Sequence, residues 1–323
     1  MRPGDPPGVR DAVSSGRELA ARDRLRTMPE TESMQTSERA APNAAAPIFT
    51  NVLCAIDGHE ADLSAVEQAV ALTGTHGHVT SLLVTSHRTG GAHRGPAIGP
   101  MRASEILDRA RGIAREAGVP YTNEVDPGTP PARVILDWSA RYELTALGAP
   151  ASSWPAKLLS VGVGDRTIGG FSTALLVARP LAADSRFAER IVVASDGLEA
   201  SQALVDLAAR LARPHGTNMT LVHALGREPL KRGRLREQEQ TLEVQEQTLS
   251  RPREPGTTEL VLKPGRAAAV IVAAAAAARA SLVVMGSRRL DGLRAMGSVS
   301  RRVAHQARCS VLLVPPETLQ PST

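Results

Sequence analysis

The residues of this chain that could do chemistry gather in three short stretches of its second half. The first is Ala194-Ser195-Asp196-Gly197, where a short apolar run ends on a carboxylate. A carboxylate at a strand end can accept hydrogen bonds from ribose hydroxyls or an adenine amine. It can equally cap the next helix by accepting from its free N–H groups. The second stretch is the end of "TLVHAL", which carries His223 and Ala224. No carboxylate or serine is spaced to make His223 a base, so it is given no catalytic role. The third, "MGSRRLDGLRAMGSVS", runs from Met285 to Ser300. Gly286 and Gly292 permit backbone conformations that a Cβ forbids. Gly297-Ser298-Val299-Ser300 stands where a helix opens, and free N–H groups, the helix dipole and two hydroxyls there can hold a phosphate. The same residues can also do no more than cap that helix.

Composition narrows the classes that could use such a site. A chain of 323 residues holds about two domains, and 42% apolar content can fill two cores. With only 2% aromatic residues, those cores are built from Ala, Val and Leu. The formal charge of +5 is spread along the chain, and lysine occurs only at Lys157, Lys231 and Lys263. There are too few aromatics to stack bases, so nucleic acid is not expected as a partner. Cys54 and Cys309 form no metal-ligand spacing and no disulfide framework. No stretch approaches the ~20 apolar residues of a membrane span. The N-terminus lacks the apolar segment of a secretory signal, and a cytoplasmic location is expected.

The elements that must position the three stretches are written twice. "NVLCAIDGHEADLSAVEQAVAL" from Asn51 matches "RIVVASDGLEASQALVDLAARL" from Arg190, and "HVTSLLVT" from His78 matches "NMTLVHAL" from Asn218. "YELTALGAP" from Tyr142 matches "ASLVVMGSR" from Ala280, and "STALLVARP" from Ser172 matches "CSVLLVPPE" from Cys309. Asp57 and Asp196 lie 139 positions apart, Gly148 and Gly286 138, Ala174 and Val311 137. An offset that drifts so little marks a duplicated domain. Val52–Ile56 and Ile191–Ala194 are short buried-strand runs, each leading into Asp-Gly and an amphipathic helix. The next helices carry Ile106, Ala110, Ile113 and Ala114 in the first unit and Leu235, Leu242 and Leu249 in the second. "TELVLKP" from Thr258 reads as a strand, and the Ala-rich "RAAAVIVAAAAAARA" from Arg266 as a helix packed close to a sheet. Alternating strands and helices predict an α/β fold with a parallel sheet covered on both faces. Residues 1–46, rich in Pro, Arg, Glu and Ser, read as a disordered extension that limited proteolysis should trim.

Strand–Asp-Gly–helix, the "TLVHA" strand and "MGSRRLDGLRAMGSVSRRVAHQARCSVLLVP" together resemble the universal stress protein family. The resemblance covers both repeats, from about Phe49 to Pro180 and from Glu189 to Pro316. It implies two tandem five-stranded parallel-sheet Rossmann-like domains, over residues 47–182 and 187–317, joined by a linker around Ala183 to Arg186. Single-domain members often dimerise along their last strand, so Ala174–Ala178 and Val311–Val314 are expected near the inter-domain contact. A homodimer is a further assembly to consider. The implied function is a stress-response module binding an adenine nucleotide, ATP with its Mg2+, without being an enzyme. No triad, metal cluster or activated nucleophile is found in the sequence. By the resemblance, Ala194, Ser195 and Asp196 meet the adenosine and Ala224 stands beside the adenine. Met285 and Gly286 approach the ribose and phosphates, while Gly297, Ser298, Val299 and Ser300 cradle the phosphates.

Two departures stand out. ATP-binding members follow G-x2-G-x9-G-[ST], but here Arg289 occupies the second glycine position, and Gly286 to Gly297 is two residues short of the pattern. The arginine either assists the phosphates or blocks the backbone approach. The first repeat departs further: "APASSWPAKLLSVGVGDRTIGG" follows Gly148, with Pro150, Trp154 and Pro155 in the loop and Asp165 near the serine positions. A carboxylate there repels phosphate. The first repeat is therefore expected to be a degenerate, structural copy, leaving one site per chain. The alternative is a scaffold of the same fold that takes no nucleotide.

Overall fold

The computed structural model describes residues 48–56, 58, 60–85, 100–128, 131–149, 171, 173–212, 217–226, 232–250, 257–287 and 298–315. The N-terminal extension lies outside them. The first repeat supplies β1 (Asn51–Ile56), α1 (Glu60–Thr73), β2 (His78–Val84), α2 (Pro100–Glu116), β3 (Tyr121–Asp126), α3 (Pro131–Ser139), β4 (Leu144–Gly148) and β5 (Ala174–Ala178). The second begins with β6 (Arg190–Ala194), a 3-10 turn (Glu199–Ser201), α4 (Gln202–Ala212) and β7 (Asn218–Leu225). It continues through α5 (Arg232–Ser250), β8 (Thr258–Pro264), α6 (Ala267–Ala277), β9 (Leu282–Gly286), α7 (Ser298–Gln306) and β10 (Ser310–Val314).

Within each repeat the five strands are parallel and follow one order, β3-β2-β1-β4-β5 and β8-β7-β6-β9-β10. The two sheets expected to be separate are in fact one. β5 and β10 pair antiparallel, with Val177 opposite Val311, Leu176 opposite Leu312 and Leu175 opposite Leu313, giving a ten-stranded sheet. The last strands do meet, by backbone hydrogen bonding. The reason lies in their sequences: all residues of "ALLVA" and "SVLLV" are buried. Left as edges, such strands would present unpaired N–H and C=O groups beside apolar surface.

Alternating side chains feed two layers. Val52, Cys54 and Ile56 face one side with residues of α1, α2, α4 and α5, including Val66, Ile106, Leu204 and Leu242. Ala55, Val192, Val283 and Val311 face the other with Ala132 of α3, Ile271 and Ala274 of α6 and Val303 of α7. The alanines of α6 let its backbone lie close against the sheet. The outer strand β3 is half-exposed and largely polar. Asp126 at its end accepts hydrogen bonds from the Gly128 N–H (2.7 Å) and the Trp138 indole N–H (2.8 Å). Among the described residues, no helix is long and apolar enough to cross a membrane.

Candidate functional site

Strand order reverses between β1 and β4 and again between β6 and β9, and open α/β sheets bind ligands outside the carboxyl ends of strands at such switch points. In the second repeat Ala194 is the register partner of Met285, so Ser195-Asp196 and Gly286-Ser287 leave the sheet side by side. Gly197 turns the chain with φ +71°, a conformation that favours glycine. Asp196 Oδ1 accepts hydrogen bonds from the Leu198 N–H (3.1 Å) and the Ser201 hydroxyl (2.8 Å). These two bonds close the turn that leads into Glu199–Ser201, where Leu198 itself is the N-cap residue. The Ser195 hydroxyl is buried, donates to Gln245 Oε1 at 2.6 Å and accepts from the Gly197 N–H at 3.0 Å. His223 is buried, and its Nδ1–H donates to the Ser195 carbonyl at 3.0 Å, a structural bond. Ala224 lies near the end of β7, partly buried against the same core layer as Ala194.

On the other side of the switch point, the Met285 side chain is buried in the α6/α7 core layer, so only its backbone adjoins the strand end. A Cβ built on Gly286 would find Val314 O at 4.0 Å as its nearest neighbour among the described residues. Arg289 and Gly297, like Gly292, lie outside the described residues, as does the Ser298 side chain. Val299 packs on the core. Ser300 stands in the first turn of α7, where its buried hydroxyl donates to the Gly286 carbonyl at 3.2 Å. A hydroxyl has one proton to donate, and here that proton ties the first turn of α7 to the end of β9.

The equivalent place in the first repeat is built differently. A Cβ on Gly148 would meet Ala61 O at 2.4 Å and Asp62 N at 2.7 Å, both backbone atoms. The second repeat spends Glu199–Ser201 on a 3-10 turn, whereas α1 is already α-helical from Glu60, the residue aligned with Glu199. Its first turn therefore lies on the end of β4. α2 braces that turn: Arg109 binds both Glu60 carboxylate oxygens at 2.8 and 3.1 Å, and Arg102 Nε donates to the Gly58 carbonyl at 3.3 Å. The hydrogen bonds from Arg109 hold the Glu60 carboxyl below its usual range. Asp62, nearly fully buried, accepts the Gly58 N–H at 2.7 Å. Asp57 and the loop carrying Pro150, Trp154, Pro155 and Asp165 lie outside the described residues.

Two supports escaped the sequence reading. Gln238 and Gln245 of α5 hold the Asp196 turn: Gln238 Nε2 donates to Asp196 O at 2.9 Å, and Gln245 Nε2 to Leu198 O at 3.2 Å. Their signal was available, because Leu235, Gln238, Leu242, Gln245 and Leu249 follow a three-four spacing that puts both glutamines on the leucine face. The second support is Arg179, just past β5, which is fully buried. Nothing in its local sequence signals that. Among the described residues, no group of three or more His, Cys, Asp or Glu side chains is placed to hold a metal ion.

Residues 188–315 match the sequence model of the universal stress protein family. No curated protein matches the chain. Among solved structures, a universal stress protein from Archaeoglobus fulgidus is 15% identical with a TM-score of 0.55, covering 84% of this chain and 98% of its own. A functionally unknown protein from Pseudomonas aeruginosa is 15% identical with a TM-score of 0.59, covering 86% of this chain and 96% of its own. At these identities the likeness is one of fold, and it extends over both repeats.

Proposed function

We propose that this chain, which carries a universal stress protein domain over residues 188–315, is a sensory module that binds one adenine nucleotide at the β6/β9 switch point. Binding rather than catalysis is its task, and the first repeat is structural. One observation carries the reading: the contrast between the two equivalent strand ends. Among the described residues a Cβ on Gly286 would meet nothing nearer than Val314 O at 4.0 Å, while helix backbone fills the same place over Gly148. The absent side chain of Gly286 is what a ribose or phosphate needs there. Asp196 and the backbone around Ala194, Ser195 and Ala224 would meet the adenosine. The opening turn of α7, with Gly297, Ser298 and Val299, would hold the phosphates by its free N–H groups. ATP would bring its own Mg2+.

A second reading, a scaffold that takes no nucleotide, draws support from a different observation. The Ser195 and Ser300 hydroxyls and Asp196 Oδ1 are engaged within the protein. Equilibrium titration with labelled ATP separates the two. Ser298→Ala should cost about 1–3 kcal/mol of binding, as for a hydrogen bond to a charged group. Asp196→Ala should weaken adenosine recognition while sparing inorganic phosphate. Arg289→Gly restores the family residue: tighter binding means Arg289 obstructs, and weaker binding means it is a phosphate ligand. If wild type and Arg289→Gly both fail to bind adenine nucleotides at millimolar concentration, the scaffold reading stands.

A further inference from the structure

We infer that Arg179 of the first repeat is a positioning residue for the nucleotide site of the second, an inference that rests on the reading above. Arg179 is 1% exposed, and its partners among the described residues come from both repeats. Its N–H donates to Ser310 Oγ at 3.0 Å, and its carbonyl accepts from Gln68 Nε2 of α1 at 2.8 Å. Its guanidinium reaches the far end of α7, with Nη2 donating to Ala304 O at 2.7 Å and Nη1 to Cys309 O at 3.3 Å. The last four carbonyls of a helix have no partner within it. In α7 the Val303 carbonyl accepts the Ala307 N–H at 2.8 Å, and Ala304 is served by Arg179. A cation at this end also suits the helix dipole.

The other end of α7 is the phosphate end. There Ser300 ties the helix to Gly286 at 3.2 Å. A nine-residue helix is a rod about 13 Å long, so where its C-terminus is clamped decides where its opening N–H groups stand. The clamp is one-sided. By the repeat offset of 137, the position matching Arg179 on the second repeat is Pro316, whose side chain has no guanidinium to offer. Burying a guanidinium against carbonyls is also a costly way merely to fill space, since an apolar side chain of similar volume does that without desolvating a charge.

The test uses the full chain, with wild type, Arg179→Met and Arg179→Lys, titrated with labelled ATP and with adenosine and tripolyphosphate as competitors. Arg179→Met should bind ATP and tripolyphosphate roughly tenfold more weakly, within the range by which residues coupled to a site from a distance modulate binding. Adenosine should compete as it does against wild type, because it makes no use of the α7 turn. Arg179→Lys should recover part of the loss. Should Arg179→Met fail to fold, Arg179→Lys carries the test through a smaller loss confined to the phosphate-bearing ligands. An ATP affinity equal to wild type in a folded variant, or parallel loss of ATP and adenosine, overturns the inference and leaves the nucleotide reading intact. Wild type that binds no adenine nucleotide defeats that reading and this inference with it.

Discussion

Alanine at the two equivalent glycines should have opposite effects. At Gly148 the new methyl would lie 2.4 Å from Ala61 O and 2.7 Å from Asp62 N, roughly an ångström inside ordinary contact. The atoms it meets are helix backbone, which cannot rotate aside as the end of a flexible side chain could. Overpacking of this kind costs about 1–3 kcal/mol, and the upper end applies where backbone must move. At roughly 2–4 °C per kcal/mol, Gly148→Ala should melt about 6–12 °C below wild type. At Gly286 the nearest contact among the described residues is 4.0 Å away, and its φ is not among the positive ones. There alanine should cost nothing and gain about 0.4–1 kcal/mol by restricting the unfolded chain. Calorimetry of the full-length variants measures this, and ATP titration well below the melting range adds a second readout. Gly286→Ala should weaken ATP, and Gly148→Ala should leave it unchanged. Equal melting temperatures, or nucleotide binding indifferent to Gly286→Ala, would refute the idea of one filled and one open strand end.

Other consequences can be checked alongside. Gln245→Leu removes the partners of the Ser195 hydroxyl and the Leu198 carbonyl. Leaving the buried Ser195 hydroxyl without its acceptor costs about 1–3 kcal/mol, so urea denaturation should show a loss of that order. Gln247→Leu, on the exposed face of the same helix, should change little. Hydrogen bonds from Trp138 and Gly128 lower the Asp126 pKa from its ordinary 3.8. A lowered folded pKa stabilises above the unfolded value and is lost as pH falls through the folded one. The stability advantage of wild type over Asp126→Asn should thus be full at neutral pH and shrink below about pH 4; a constant gap in acid would rule out the carboxylate's part.

Strand positions and the duplication were legible because parallel strands buried on both faces read as unbroken apolar runs, as in "LVVMG" and "SVLLV". β3 was not identified, since "YTNEVD" is half-exposed at the sheet edge and lacks that signal. The sheet's continuity was hidden for another reason. An apolar last strand says only that its edge must be covered, while the choice between packing and hydrogen bonding depends on register. At the site, the residue types were readable but their hydrogen-bonding partners were not. Ser195 and Ser300 carry the hydroxyls a phosphate or sugar site needs, yet Gln245 and the Gly286 carbonyl, distant in sequence, take up their protons.

The seam between β5 and β10 has a consequence for how the two halves can change. Two identical chains meeting about a two-fold axis receive every substitution twice, so neither copy can lose a site while its mate keeps one. Here the same strand pairing lies within a single polypeptide, and its strength does not depend on protein concentration. Each half is free to carry residues the other could not tolerate. The early start of α1 over Gly148 and the lone arginine at Arg179 are changes of that kind, available to a fused pair and closed to a symmetric one.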